Sequence, residues 1–149
     1  MTNKNIVITG GAGYVGSHIC KKLKYNGFNI YCLDNLSRGN KWAVKWGELL
    51  IGDLHDITFL EKSFKKIKPV SIIHLAAFAD IGESNLKPFM YYENNIKTTI
   101  NLLKAVKNNN LNNIIFSSSC SIFGNISKSN IYENDLMNPL SPYAFSKMV

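Results

Sequence analysis

The sequence predicts an α/β fold, a parallel sheet covered by helices on both faces. Three observations carry that prediction. Short β-branched runs alternate with helical spacings along the chain, the first run breaks into glycines and passes straight into a helical pattern, and Asp34 and Asp53 fall at the ends of later apolar runs.

The elements follow in order. Asn5 to Thr9 is the first strand, and after the glycines Val15, Ile19 and Leu23 recur every fourth residue, which puts them on one face of a helix. Asn26-Gly27 supplies its C-cap. Asn29 to Leu33 is a second strand ending at Asp34. Ser37 to Gly47, with two tryptophans, has no regular period, and no full helix is expected there. Glu48 to Ile51 is a third strand. A helix over Ile57 to Ile67 stops before Pro69, and the apolar run Val70 to Leu75 is a fourth strand. Pro88 opens a long helix carrying Tyr92, Ile96, Leu103 and Val106, since a first-turn proline loses no helical hydrogen bond. Asn113 to Ser117 is a fifth strand, and Ser141-Pro142 is an N-cap and first-turn pair. Right-handed crossovers then favour strand order 3-2-1-4-5, the arrangement of a doubly wound sheet.

Bulk properties bound the function. A chain of 149 residues suffices for one domain, because chains of about 150 residues bury roughly two-thirds of their unfolded surface. No apolar run approaches the roughly 20 residues of a membrane-spanning helix, and the N-terminal run of Ile6 to Ile8 is too short for a secretory signal. Cys20, Cys32 and Cys120 are odd in number and widely spaced, which indicates neither a disulfide framework nor a metal site. A soluble cytoplasmic protein is expected. The net charge of +7 resides in lysines interleaved with apolar residues at helical spacing, so these read as solvated helix faces rather than a nucleic-acid surface.

The glycine turn, Thr9-Gly10-Gly11-Ala12-Gly13-Tyr14-Val15-Gly16, reads as G-x-G-x-x-G from Gly11 or G-x-x-G-x-x-G from Gly10. Both readings share one physics. Glycines permit a tight turn and close approach of backbone to a pyrophosphate, and the following helix presents free N–H groups to it. Such turns also serve as plain connectors, but this one lies between a strand and a helix and precedes Asp34. A carboxylate there accepts hydrogen bonds from ribose hydroxyls and repels an added 2′-phosphate, so NAD is expected over NADP; the alternatives are a turn former in Asp34-Asn35 and a phosphate accommodated by Arg38. Asp53 is either a turn former in Gly-Asp or a contact of the adenine.

Ser117-Ser118-Ser119 follows the fifth strand, and Tyr143 and Lys147 stand four apart on the last helix, hence on one face. A lysine ammonium beside a phenol stabilises the phenolate and turns tyrosine into a base usable near neutrality. Ser119 could hydrogen-bond the same substrate oxygen. Each motif is common by chance, and a polar loop and an amphipathic face are the plain alternatives. The ordered set is what carries weight.

With that set on the page, the chain resembles the extended short-chain dehydrogenases/reductases, and among them the 4-epimerases that interconvert UDP-glucose and UDP-galactose. The stretches are Thr9 to His18, Leu33 to Ser37, Gly52 to Leu54, Ile73 to Ala77, Ile81 to Ser84, Tyr91 to Asn95, Phe116 to Ser119 and Ser141 to Lys147. The resemblance implies a Rossmann-type NAD-binding domain over residues 1–149, truncated before a C-terminal substrate domain, in a protein that works as a homodimer. It implies cofactor contacts from Gly10, Gly13, Tyr14, Val15, Gly16, Asp34, Asn35, Asp53, Leu54, Leu75, Ala76, Ala77, Ala79 and Asn94, and from the catalytic group Ser119, Tyr143 and Lys147. It also implies that the isolated fragment is inactive on its UDP-sugar.

Two departures stand out. Ala79 occupies a position where many members carry lysine, and Cys120-Ser121 stands where related dehydratases place an acidic pair. Without a carboxyl group to eliminate water, epimerisation is favoured over dehydration. The alternatives are a 4-epimerase of a UDP-pentose or UDP-uronic acid, and a non-catalytic dinucleotide-binding module.

Overall fold

A computed structural model describes residues 3–125, 127 and 130–149. Its sheet has five parallel strands: β1 (Asn5–Thr9), β2 (Asn29–Asp34), β3 (Glu48–Ile51), β4 (Ser71–His74) and β5 (Ile114–Phe116), in the order β3-β2-β1-β4-β5. The expected order and strand positions hold, with one residue trimmed from each end of the fourth and fifth strands.

The alternation along β1 sets the two cores, because successive side chains of a strand point to opposite faces. Val7 joins Leu33, Leu60, Phe64, Ile72 and Leu102 in one cluster. These residues include the apolar faces of α2 (Ile57–Ile67) and α5 (Thr98–Asn108). Ile6 and Ile8 join Ile30, Cys32 and Cys20 on the other, the last from α1 (Tyr14–Tyr25). With helices on both faces, apolar residues on both sides of β1 are buried, which is why its sequence reads as a continuous apolar run.

The helix ends follow the local chemistry. Asp56 caps α2 by accepting from the Phe59 N–H at 2.9 Å, and Lys68 ends it in the left-handed region before Pro69. Asn26 closes α1, followed by Gly27 at φ 81°. The segment between β2 and β3 holds a single 3-10 turn, Lys41–Ala43.

Residues 1–77 and 98–116 form one compact unit, which contains the sheet with α1, α2 and α5, and residues 78–97 and 117–149 form a second. The second unit is built around α6 (Pro142–Met148), with α3 (Ile81–Leu86), α4 (Pro88–Tyr91) and a 3-10 turn over Cys120–Phe123 packed on it. Here the expected long helix from Pro88 is corrected. Pro88 does open a helix, but α4 lasts four residues and passes into a π-helical stretch, Tyr92–Lys97, before α5 begins. The reason is polar. Asn95, 3% exposed, accepts from the Phe78 N–H at 2.8 Å and donates to the Phe78 carbonyl at 3.0 Å and to the Ser146 hydroxyl at 2.9 Å. Those partners satisfy a buried amide, and the wider turn accommodates it.

Candidate functional site

In the first unit, the β1–α1 turn leaves no room for a Cβ at three of its glycines. Gly10 has φ 72°, and a Cβ there would sit 2.8 Å from the Ala76 nitrogen. A Cβ on Gly16 would collide with the Gly10 carbonyl oxygen, and one on Gly11 would lie 2.7 Å from Cβ of Cys32. Only glycine fits at these positions. Gly13 is the N-cap of α1 and offers no side chain to it, and no acidic residue lies in the first turn. The leading N–H groups therefore receive no capping bond from a Gly13 side chain or a first-turn carboxylate. Tyr14 and Val15 stand 83% and 55% exposed at this helix start.

Asp34 is brought directly to the turn. It is buried, its Oδ2 accepting from the Ala12 N–H at 3.0 Å and its Oδ1 from the Leu36 N–H at 2.9 Å. Each carboxylate oxygen retains a further lone pair. Gly39 closes over it, since a Cβ there would lie 2.9 Å from Oδ1. Asn35 and Asp53 are also brought together: the Asn35 amide donates to Asp53 Oδ2 at 2.8 Å, while the His55 N–H and Nδ1 reach Oδ1 at 2.8 and 2.7 Å. Burial works to raise the Asp53 pKa, but the hydrogen bonds from His55 and Asn35 outweigh it and hold the carboxyl below its ordinary value. Leu54 is packed in the core, so its side chain is withdrawn, and its carbonyl accepts from the Asn101 amide at 3.2 Å.

Leu75, Ala76 and Ala77 run on from β4, held by hydrogen bonds from the Leu75 N–H to the Thr9 carbonyl (3.2 Å) and from the Ala76 N–H to the Thr9 hydroxyl (3.3 Å). A residue without an assigned role anchors this loop. His74, 1% exposed, bonds Thr9 Oγ1 through Nδ1 at 2.7 Å and Thr99 Oγ1 through Nε2 at 2.9 Å.

In the second unit, Ser119 caps the 3-10 turn; its hydroxyl accepts from the Ser121 N–H at 3.2 Å and lies 2.8 Å from the Ser121 hydroxyl. Ser141 caps α6 through the Ala144 N–H at 3.1 Å, and the helix carries Tyr143 and Lys147 on one face. Lys147 is buried, with 6% exposure, and its ammonium donates to the Ser117 carbonyl at 2.9 Å. Burial lowers its pKa to about 8. The Ser118 hydroxyl donates to the Lys147 carbonyl at 3.1 Å, so the serine run and the end of α6 are tied at two points. Ala79 is exposed, and Asn94 donates to Asn95 Oδ1 at 2.9 Å.

Two residues were missed as positioning groups, His74 and Asn95. Their partners Thr9 and Ser146 lie 65 and 51 residues away in sequence, and no local spacing reveals such pairs. No group of three or more metal-ligating side chains, and no helix long and apolar enough to cross a membrane, occurs among the described residues.

Comparison with known proteins adds the family. The chain is 38% identical over its whole length to UDP-glucose 4-epimerase of Rhizobium meliloti (strain 1021), of which it covers 45%. It superposes on UDP-glucose 4-epimerase of Brucella ovis, crystallised in complex with NAD, with a TM-score of 0.95 at 41% identity, covering 99% of this chain and 45% of that one. A Stenotrophomonas maltophila UDP-glucose-4-epimerase with bound NAD and formylated UDP-arabinopyranose gives 0.95 at 27% identity, covering 98% and 46%. The chain thus spans somewhat under half the length of these relatives. The pattern of one family runs through residues 6–149, from the first strand to the last helix, and by it this chain belongs to the NAD dependent epimerase/dehydratase family.

Proposed function

We propose that this chain is the NAD-binding part of an enzyme that epimerises a UDP-sugar at C4, interconverting UDP-glucose and UDP-galactose. The observation that carries the chemistry is the buried Lys147 ammonium, one helical turn from Tyr143 and fixed on the Ser117 carbonyl. Burying a lysine is costly because desolvation disfavours its charge, and groups perturbed in this way cluster at functional sites. This also speaks against a module that only senses dinucleotide.

The glycine turn and Asp34 fit NAD: the turn has no room for side chains, the helix start has no internal cap, and the carboxylate is held at the strand end. Gly10, Gly13, Gly16, Tyr14 and Val15 take the pyrophosphate. Asp34 and Asn35 take the adenosine ribose, and Asp53 and the Leu54 backbone border the adenine. Leu75, Ala76, Ala77, Ala79 and Asn94 complete the cofactor contacts. NAD supplies a hydride acceptor and donor at the sugar carbon.

The protein's part is proton handling and orientation. Tyr143 removes the proton from the sugar 4-hydroxyl as the 4-keto sugar forms and returns it after the sugar has turned. Ser119 holds the same oxygen. Lys147 supplies positive charge that favours the phenolate and also holds the nicotinamide ribose. Cys120 and Ser121 offer no acid for eliminating water, so the 4-keto sugar is reduced rather than dehydrated.

The relatives' lengths support a protein with further chain that supplies most of the sugar site, and we read it as a cytoplasmic homodimer. The test is conversion of UDP-glucose to UDP-galactose by the protein of the relatives' length, beside UDP-xylose, UDP-arabinose and UDP-glucuronate. Absence of turnover with all of them overturns the proposal.

A further inference from the structure

Cys20 on α1 and Cys32 on β2 are both buried, at 1% and 0% exposure, and their sulfurs lie 3.3 Å apart. A pair of thiols in direct contact, drawn from two different elements, is unlike an isolated core cysteine. Disulfide formation needs the sulfurs to close to about 2.05 Å, a movement small enough for side-chain rotation and slight settling of α1 on the sheet. The pair also lies under the glycine turn, where Gly11 packs on the Cys32 side chain.

We propose that Cys20 and Cys32 form a redox-active dithiol that hydrogen peroxide converts to a reversible disulfide joining α1 to β2. The two thiols are not equivalent. The hydrogen bond between the two thiols lowers the Cys20 pKa against the opposing effect of burial, while the same bond, burial and the charges of Cys20 and Asp34 push the Cys32 pKa up. With the Asp34 charge disfavouring a thiolate at Cys32, Cys20 is assigned as the nucleophile. Its thiolate attacks one peroxide oxygen, the O–O bond breaks, and after proton uptake the products are a Cys20 sulfenic acid and water. Cys32 then attacks the Cys20 sulfur, the S–O bond breaks, and hydroxide leaves and takes the Cys32 proton to become a second water. Two thiols are oxidised by two electrons and one peroxide is reduced to two waters. Burial keeps out bulky thiol reagents, but a peroxide is scarcely larger than a water molecule. A small thiol reductant reverses the bond by exchange once local opening admits it.

This inference stands apart from the proposed epimerase activity, and its test does not use that activity. The exposed third thiol is removed by Cys120→Ser, and the protein is treated with hydrogen peroxide and then digested with trypsin without reductant. The expected product is the tryptic peptide Asn5–Lys21 linked to Tyr25–Arg38, lost again on reduction. Adding Cys32→Ser should abolish the linked peptide and leave Cys20 carrying added oxygen. Two unmodified thiols after peroxide, or oxygen added to Cys20 with no linked peptide while Cys32 is present, overturns the proposal. Circular dichroism of both variants before oxidation checks that they are folded.

Discussion

Replacing Lys147 by methionine should make the fold more stable at neutral pH while destroying its use. The lysine is buried, and its pKa falls from 10.5 to about 8 because the ammonium is desolvated. That fall corresponds to about 3 kcal/mol against the charged form in the folded state. Methionine has nearly the same length and no charge, but it leaves the Ser117 carbonyl without its donor, a loss of about 1–2 kcal/mol. The expected net gain near neutrality is therefore about 1–2 kcal/mol. The pH dependence fixes the cause. Between about 8 and 10.5 the unfolded chain still holds the proton that the folded chain has released, so the parent's stability rises with pH at up to about 1.4 kcal/mol per pH unit. The contribution of the neutral amine is complete above 10.5 and is lost as pH falls through about 8. The variant lacks this slope, so its advantage should shrink across that window. Urea unfolding followed by circular dichroism, at neutral pH and at pH about 10, measures both. A variant less stable than its parent at neutral pH, or profiles that run parallel, would show that burial of the charge is not the cost assigned to it. In the protein of the relatives' length, the same variant should bind NAD weakly and lose turnover.

Three further outcomes are expected. NAD should bind more tightly than NADP by titration calorimetry, and Asp34→Ala should narrow the difference; equal affinities in the parent would remove the role given to Asp34. In the protein of the relatives' length, Tyr143→Phe should keep NAD binding and lose turnover by about 10²–10⁴-fold, and near-normal turnover would mean that another group handles the proton. Asn95→Leu strands the Phe78 N–H and carbonyl at a cost of about 2–4 kcal/mol, which chemical denaturation will read, whereas a loss below 0.5 kcal/mol would mean that relaxation or water replaces these bonds.

The sheet was legible in the sequence because its determinants are local or topological. Apolar runs end in glycine, aspartate or proline, and the handedness of crossovers orders the strands without reference to any side chain. Asp34 was legible for the same reason: it ends β2, and the geometry of a doubly wound sheet puts that end beside the β1–α1 turn. What escaped was set by polar partners distant in sequence. The apolar stripe Tyr92, Ile96, Leu103 and Val106 is compatible with one helix, but it carries no information about where a buried amide must find the Phe78 backbone and Ser146. Likewise Ile73 to Ala77 was recognisable as a motif, yet nothing in its spacing says that its histidine bridges Thr9 and Thr99. Leu54 shows the opposite limit: the resemblance implies a cofactor contact there, while packing turns its side chain into the core.

The closeness of Gly16 to the Gly10 carbonyl also bears on how this protein can drift under mutation. Every amino-acid change at a glycine codon adds a Cβ, and here the obstacle is main chain, which cannot rotate aside as a side chain can. No stepwise route through a tolerated intermediate exists at that site. Tyr14 and Val15, exposed at the same turn, meet no such main-chain obstacle, and only what they contact restricts them. The turn is therefore constrained in two different ways: its glycines by main-chain sterics, and the residues between them only by what they contact.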